Sequence, residues 1–229
     1  MPHRTAFLVF LQQPSNDRER TEVGRKVGMS ELHPWVVGAA RGALPEWAVA
    51  RKKRRAHMGR VSALLREWGE GRGDDPRDVE RWAAVGYLHD VLRDADPDEL
   101  RVASSVPLDH LPDEVVHGPA AADRLRQGGV ADEPLLAAIA FHTLGSPNFD
   151  DIGKALYVAD FLEPGRKLQP KWRARLRDEM PEGLNSVAQA VVGKRVQFLI
   201  KKGRPVPTET FGLWNILAKG RSWASASEL

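Results

Sequence analysis

The sequence predicts an all-α fold, a helical bundle with extra C-terminal helices and a poorly structured N-terminal extension. Three observations carry this reading. Apolar positions recur at steps of three and four, as in Val79, Trp82, Ala83, Val85 or Gly86, His89 and Leu92. Helix punctuation falls at the ends of these runs. Asp75-Pro76 supplies an N-cap and a proline at the first helical position, Asp132 caps a second run, and Gly128-Gly129 and Glu163-Pro164-Gly165 close two others. Strand-type alternation is nowhere persuasive.

The elements follow in order. Residues 1–28 stand apart: a short apolar run over residues 6–11 gives way to a polar stretch without a period. Two readings stay open, that Met29 is the true initiator or that the extension is natural and mobile. Met29-Ser30-Glu31-Leu32 opens a first helix. A second is expected from Glu46, with Pro45 in its first turn, carrying Trp47, Ala50, Arg54, His57, Val61 and Trp68 to the glycines at 69–73. The Asp75-Pro76 helix holds His89 and Asp90 in its last turns. Residues 94–112 read as a loop with one short helix over 97–102. Helices are then expected over 119–127, from Asp132 to Gly145 with His142 aboard, and over 152–162 with Asp160 near the end. The tail adds helices near 171–180, 184–202 and 208–219. The domain expectation is an extension (1–28), a core domain (29–167) and a helical extension packed on that core (168–229).

Composition narrows the class. The chain has 229 residues, 42% hydrophobic and 28% charged, with a net charge of only +3, as in an ordinary globular domain. It has no cysteine, so thiolate ligands and disulfides are excluded and any metal must be held by nitrogen and oxygen. The run at 6–11 is too short to span a membrane and lacks a signal-type cleavage site, so the protein is read as cytoplasmic, with no membrane partner.

The chemistry concentrates in six residues: His57, the pair His89-Asp90, His117, His142 and Asp160. A lone histidine on an apolar helix face is ordinarily a packed core residue, and His3, His33 and His110 are read that way. The six are different as a set. Each histidine lies at the edge or end of a helical run beside small or apolar residues, and both aspartates sit among apolar neighbours. A buried carboxylate needs a partner. A metal ion would serve all six residues at once, and two ions can share Asp90.

The ordered set His57…His89-Asp90…His117…His142…Asp160 resembles the HD-domain phosphohydrolases. His117-Gly118, Ala120-Ala121-Ala122, His142-Thr143 and above all Asp160-x-x-Glu163-Pro164-x-Arg166 sharpen the likeness to the HD-domain hydrolases that cleave diadenosine tetraphosphate symmetrically, over about residues 46–167. Arg54, three residues before His57, fits the same pattern. The resemblance implies two divalent ions, iron in the family, and release of two ADP. Manganese, cobalt, nickel or zinc would also suit nitrogen and oxygen donors. It implies one ion on His57, His89, Asp90 and Asp160 and another on His117 and His142, with Asp90 bridging. Asp90 and Arg93 are the expected catalytic residues, and Arg54, Arg93, Glu163 and Arg166 the expected substrate contacts. Arg93 stands where the family commonly has lysine, a methionine often found after His142 is missing, and the tail is longer than the family core.

The expected partner is a dinucleoside polyphosphate, with no nucleic acid and no particular oligomeric state implied. Two alternatives stand beside it. One is an HD phosphohydrolase of other nucleotides or phosphate esters. The other is a non-catalytic nucleotide- or RNA-binding regulator, suggested by Lys194-Arg195 and Lys201-Lys202-Gly203-Arg204 beside Phe198 and Ile200. A degenerate regulator would have lost ligand positions, and here every one is filled. For Arg51 to Arg55, apart from Arg54, a solvated helix face is the preferred reading.

Overall fold

The structure, a computed structural model, describes residues 31–219. The expectations for residues 1–28, Met29 and the end of the tail lie outside the described residues. Those residues form ten α-helices and no strand: α1 (Pro34–Ala40), α2 (Lys52–Gly71), α3 (Pro76–Leu88), α4 (Pro97–Ala103), α5 (Asp113–Gln127), α6 (Glu133–Phe141), α7 (Asp151–Leu162), α8 (Pro170–Asp178), α9 (Leu184–Lys201) and α10 (Thr208–Leu217).

The punctuation read from the sequence works physically. The Asp75 side chain accepts from the Arg77 amide at the start of α3, and Asp132 accepts from Leu135 in α6; Asp96 and Asp150, not singled out in the sequence, cap α4 and α7 in the same way. Three starts differ from expectation. The first helix begins at Pro34, with His33 as its cap. The His33 Nδ1 accepts from the Trp35 amide, and its Nε2 donates to the Gly128 carbonyl at 3.1 Å. The second begins at Lys52, because residues 46–51 run non-helically against the segment after α3. Val49 N–H reaches the Val91 carbonyl at 2.9 Å, and Arg51 N–H reaches Asp94 Oδ2 at 2.8 Å. The apolar spacing of Trp47 and Ala50 reflects packing of that segment. Asp94 acts there as a tether.

The third difference matters to the site. Helix α5 begins at Asp113 and runs straight through Pro119. Proline forgoes one amide bond inside a helix. Val115, Val116, Ala120, Ala121 and Ala122 are nonetheless all buried, and their common burial carries the helix past it. His117 therefore sits within a helix and not ahead of one.

The core is built by α2, α3, α5, α6 and α7, with Met58, Leu65, Leu88, Leu125, Ile139 and Leu156 fully enclosed. Burial of each such side chain is worth about 1.5–3 kcal/mol. Trp68 and Trp82 are buried in it, as their spacing suggested. In the tail, Leu184, Val187, Ala188, Val191 and Val192 of α9 and Leu213 of α10 join the same core. Thr210 of α10 donates to the Leu144 carbonyl at 2.6 Å, tying the tail to the turn that follows His142.

Helices α2 and α3 touch closely at Gly86. A Cβ there would lie 2.8 Å from the Ser62 backbone and 2.9 Å from Leu65 Cδ1. This contact sets the separation of His57 on α2 and His89 at the end of α3. Gly86→Ala is expected to cost about 1–3 kcal/mol through forced displacement of the helices. Urea unfolding would read the loss as a lowered midpoint, and an unchanged midpoint would show that the helices shift freely.

Candidate metal centre

Five helices deliver the six residues to one place. His57 lies in the second turn of α2, His89 caps α3 and Asp90 follows it, His117 lies in α5, His142 caps α6, and Asp160 lies in the last turn of α7. His57, His89, Asp90, His117 and His142 are all buried.

Asp90 stands between two pairs of imidazoles. Its Oδ2 lies 3.6 Å from His57 Nε2 and 3.5 Å from His89 Nε2. Its Oδ1 lies 3.2 Å from His117 Nε2 and 3.4 Å from His142 Nε2. Within the pairs, the facing Nε2 atoms are 3.3 Å apart for His57 and His89, and 3.1 Å apart for His117 and His142. Asp160 Oδ1 joins the first pair, 3.1 Å from His57 Nε2 and 4.0 Å from His89 Nε2. Two three-residue groups could each hold a metal ion, His57–His89–Asp90 and Asp90–His117–His142.

The donor chemistry fits a metal. His89 Nδ1 donates to the Gly86 carbonyl at 2.8 Å, His142 Nδ1 to the Ile139 carbonyl at 2.7 Å, and His57 Nδ1 to Glu163 Oε1 at 3.3 Å. With the proton fixed on Nδ1, the neutral ring presents its Nε2 lone pair inward. His117 Nδ1 is buried without a hydrogen-bond partner among the described residues, so its tautomer is not anchored in this way.

The electrostatics call for positive charge at the centre. Burial alone would raise the Asp90 carboxyl, but the His89 charge and hydrogen bonds from His117, His142 and His89 outweigh it and hold it well below the usual carboxylate range. Burial likewise opposes ionisation of Asp160, yet the hydrogen bond from His57 and the charges of His89 and Arg166 pull it down. Burial also works against charge on His89, but Asp90 and Asp160 beside it prevail and raise it. His117 is pushed down to about 4, chiefly by burial, with the Arg93 charge a smaller contribution, so it is neutral at pH 7.

The expected substrate contacts divide. Arg54 is half-buried and donates to Asp90 Oδ2 at 2.6 Å. Arg166 is exposed and donates to Asp160 Oδ1 at 2.7 Å. Arg93 is half-buried near His117. Glu163 departs from expectation. It is 2% exposed, turned inward behind His57, and both its oxygens are occupied by Arg60, His57 and the Gly165 amide. Burial would raise its carboxyl, but Arg60, Gly165 and His57 hold it below the usual range. A phosphate would not reach it, and would be repelled if it did. Arg60 was not singled out from the sequence. Its place three residues after His57, on the same helix face, is the signal that could have found it.

Comparison with known proteins finds relatives in both sequence and fold. The HD domain family matches residues 54–165, which contain all six residues. Three proteins named symmetrical bis(5'-nucleosyl)-tetraphosphatase are similar in sequence. That of Halalkalibacterium halodurans is 29% identical over 146 residues, 61% of this chain and 77% of its own length. That of Bacillus subtilis is 38% identical over 114 residues, 49% of this chain and 60% of its own length. That of Staphylococcus aureus is 30% identical over 103 residues, 44% of this chain and 53% of its own length. The last two matches therefore span less than two thirds of the relative. Among solved structures, an HD superfamily hydrolase from Clostridium acetobutylicum, described as involved in NAD metabolism, superposes with a TM-score of 0.65 at 23% identity, covering 83% of this chain and 100% of that one.

Proposed function

This chain belongs to the HD-domain family of hydrolases, and on that premise we propose that it cleaves diadenosine tetraphosphate symmetrically into two ADP at a dinuclear centre. The observation that carries the reading is the placement of Asp90, with one carboxylate oxygen facing His57 and His89 and the other facing His117 and His142. The names of the three relatives supply the substrate.

In this reading His57, His89, Asp90 and Asp160 would hold one divalent ion, and His117 and His142, together with Asp90, would hold the other. Iron is the proposed metal. When bound, such a pair supplies Lewis acidity and a water acidic enough to attack phosphorus near neutral pH. The chain's own residues bind and orient. Guanidinium has five N–H donors. Arg54 spends a donor on Asp90, and Arg166 spends its own on the Asp160 carboxylate and carbonyl. Donors left over can take phosphate oxygens while the same side chains keep the two carboxylates in place. Arg93 supplies a further cation beside the His117 half of the site. Attack at an inner phosphate forms one new P–O bond and breaks the central bridge, so each product keeps two phosphates.

The test is product analysis. The chain is prepared without oxygen, supplied with ferrous iron and given diadenosine tetraphosphate. ADP as the sole nucleotide product is expected. Metal bound in two equivalents with no turnover would reject this substrate and move the reading to other phosphate esters. No helix among the described residues is long and apolar enough to cross a membrane.

Arg93 provides a separate check. Arg93→Ala is expected to raise KM about tenfold or more, since a hydrogen bond to a charged group is worth about 1.5–3 kcal/mol. The metal content should not change. Wild-type kinetics in this variant would remove Arg93 from the site.

A further inference from the structure

We propose that Arg60 and Glu163 are positioning residues, which clamp the His57 ring so that its Nε2 faces the centre, and act through His57 without touching substrate. This rests on the metal-centre reading and not on the identity of the substrate.

The geometry forms a chain of contacts. His57 Nδ1 donates to Glu163 Oε1 at 3.3 Å. Arg60 grips the same carboxylate, its Nε donating to Oε2 at 2.5 Å and a terminal nitrogen to Oε1 at 3.3 Å. The Gly165 amide donates to Oε2 at 2.6 Å. The carboxylate is thus held by Arg60 and the Gly165 amide, with Arg166 Nε a further 3.7 Å from Oε1, and Oε1 is the oxygen that meets the His57 ring. A carboxylate behind a ligating imidazole sets its tautomer and raises its basicity.

The turn after α7 is shaped for this contact. A Cβ on Gly165 would lie 2.5–2.7 Å from the Arg60 guanidinium, so this position is glycine because Arg60 occupies the space. Residues 163–166 therefore serve two ligands from one turn: Glu163 holds His57, and Arg166 holds Asp160. Arg60 and His57 share a face of α2, so the helix presents the ligand and its brace together.

The other Nδ1 anchors are backbone carbonyls. His57 alone among the anchored rings depends on a side chain, and it can be loosened by substitution while its partners stay intact. The metal-stripped full chain is titrated with manganous ion by calorimetry, and circular dichroism melting establishes folding. Wild type is expected to bind two ions. Glu163→Ala is expected to weaken one of them about 10–100-fold and leave the other within a factor of about three. Arg60→Ala should weaken the same ion less, and Arg60→Lys should recover most of the loss. The 15N shifts of His57 should show loss of the Nδ1–H tautomer preference in Glu163→Ala.

Wild-type affinities at both positions in Glu163→Ala, with a raised KM, would overturn the proposal and make Glu163 a substrate contact. Equal weakening of both ions in a folded variant would also overturn it. If Glu163→Ala does not fold, Arg60→Ala decides, because that side chain is 40% exposed and its loss leaves no cavity in the core. A wild-type chain that binds no metal overturns the parent reading and this one together. A chain that binds two ions but spares diadenosine tetraphosphate leaves this inference standing.

Discussion

Asp90→Ala is expected to abolish turnover, by about 10³-fold or more, and to cost the chain metal at both halves of the centre. The argument is geometric. Every other ligand candidate serves one pair of imidazoles, whereas Asp90 places Oδ2 by His57 and His89 and Oδ1 by His117 and His142. Its removal takes a donor from each half at once and the shared anion from between them. Loss of several kcal/mol of transition-state stabilisation is three or more orders of magnitude in rate. The fold should survive. Asp90 lies at the end of α3 and not within the apolar core, and its ion-pair partner Arg54 has 29% of its side chain exposed and can turn to solvent. Asp90→Asn makes the sharper comparison. It keeps the volume and offers one oxygen, so it should retain metal at one half and lose it at the other. Metal content per chain and initial rates measured together would decide this. Substantial turnover by Asp90→Ala would remove Asp90 from between the two halves.

Much of the site was legible because metal ligation constrains residue type more tightly than it constrains position. Four imidazoles and two carboxylates at helix edges, with no cysteine, point to one kind of chemistry. Helix ends were legible where a single residue decides them, as at Asp75 and Asp132. Other features depend on contacts between distant residues. Glu163 is expected at the substrate only because the Asp160-x-x-Glu163-Pro164-x-Arg166 stretch resembles the family's. Its partner His57 lies 106 residues away, and only the packed fold turns it inward. The start of α5 was hidden because Pro119 is a good first residue for a helix, and burial of Val115 and Val116 outweighs the bond it forgoes. The segment before α2 imitated a helix because Trp47 packs on Trp35, with ring centroids 5.6 Å apart, whatever its backbone does.

Metal removal should lower the melting temperature markedly, and restoring metal should raise it again. The facing Nε2 atoms stand only 3.1 Å and 3.3 Å apart, and the buried Asp90 and half-buried Asp160 add negative charge beside them. Desolvating such an anion costs several kcal/mol unless it is paired. Arg54, Arg166 and a proton on His89 offset part of that cost. A divalent ion at each half offsets more and binds only the folded chain, because the ligands come from five separate helices. Saturation at about 1,000 times the dissociation constant contributes about 4 kcal/mol for one site. At about 2–4 °C per kcal/mol for a chain of this size, that is a shift of roughly 8–16 °C. His117→Ala should keep the contribution from the His57–His89 half and lose the other, so its shift should be smaller than wild type but not zero. Identical melting of stripped and reloaded protein, with no metal retained per chain, would mean that the six residues are satisfied by one another and that the centre is not a metal site.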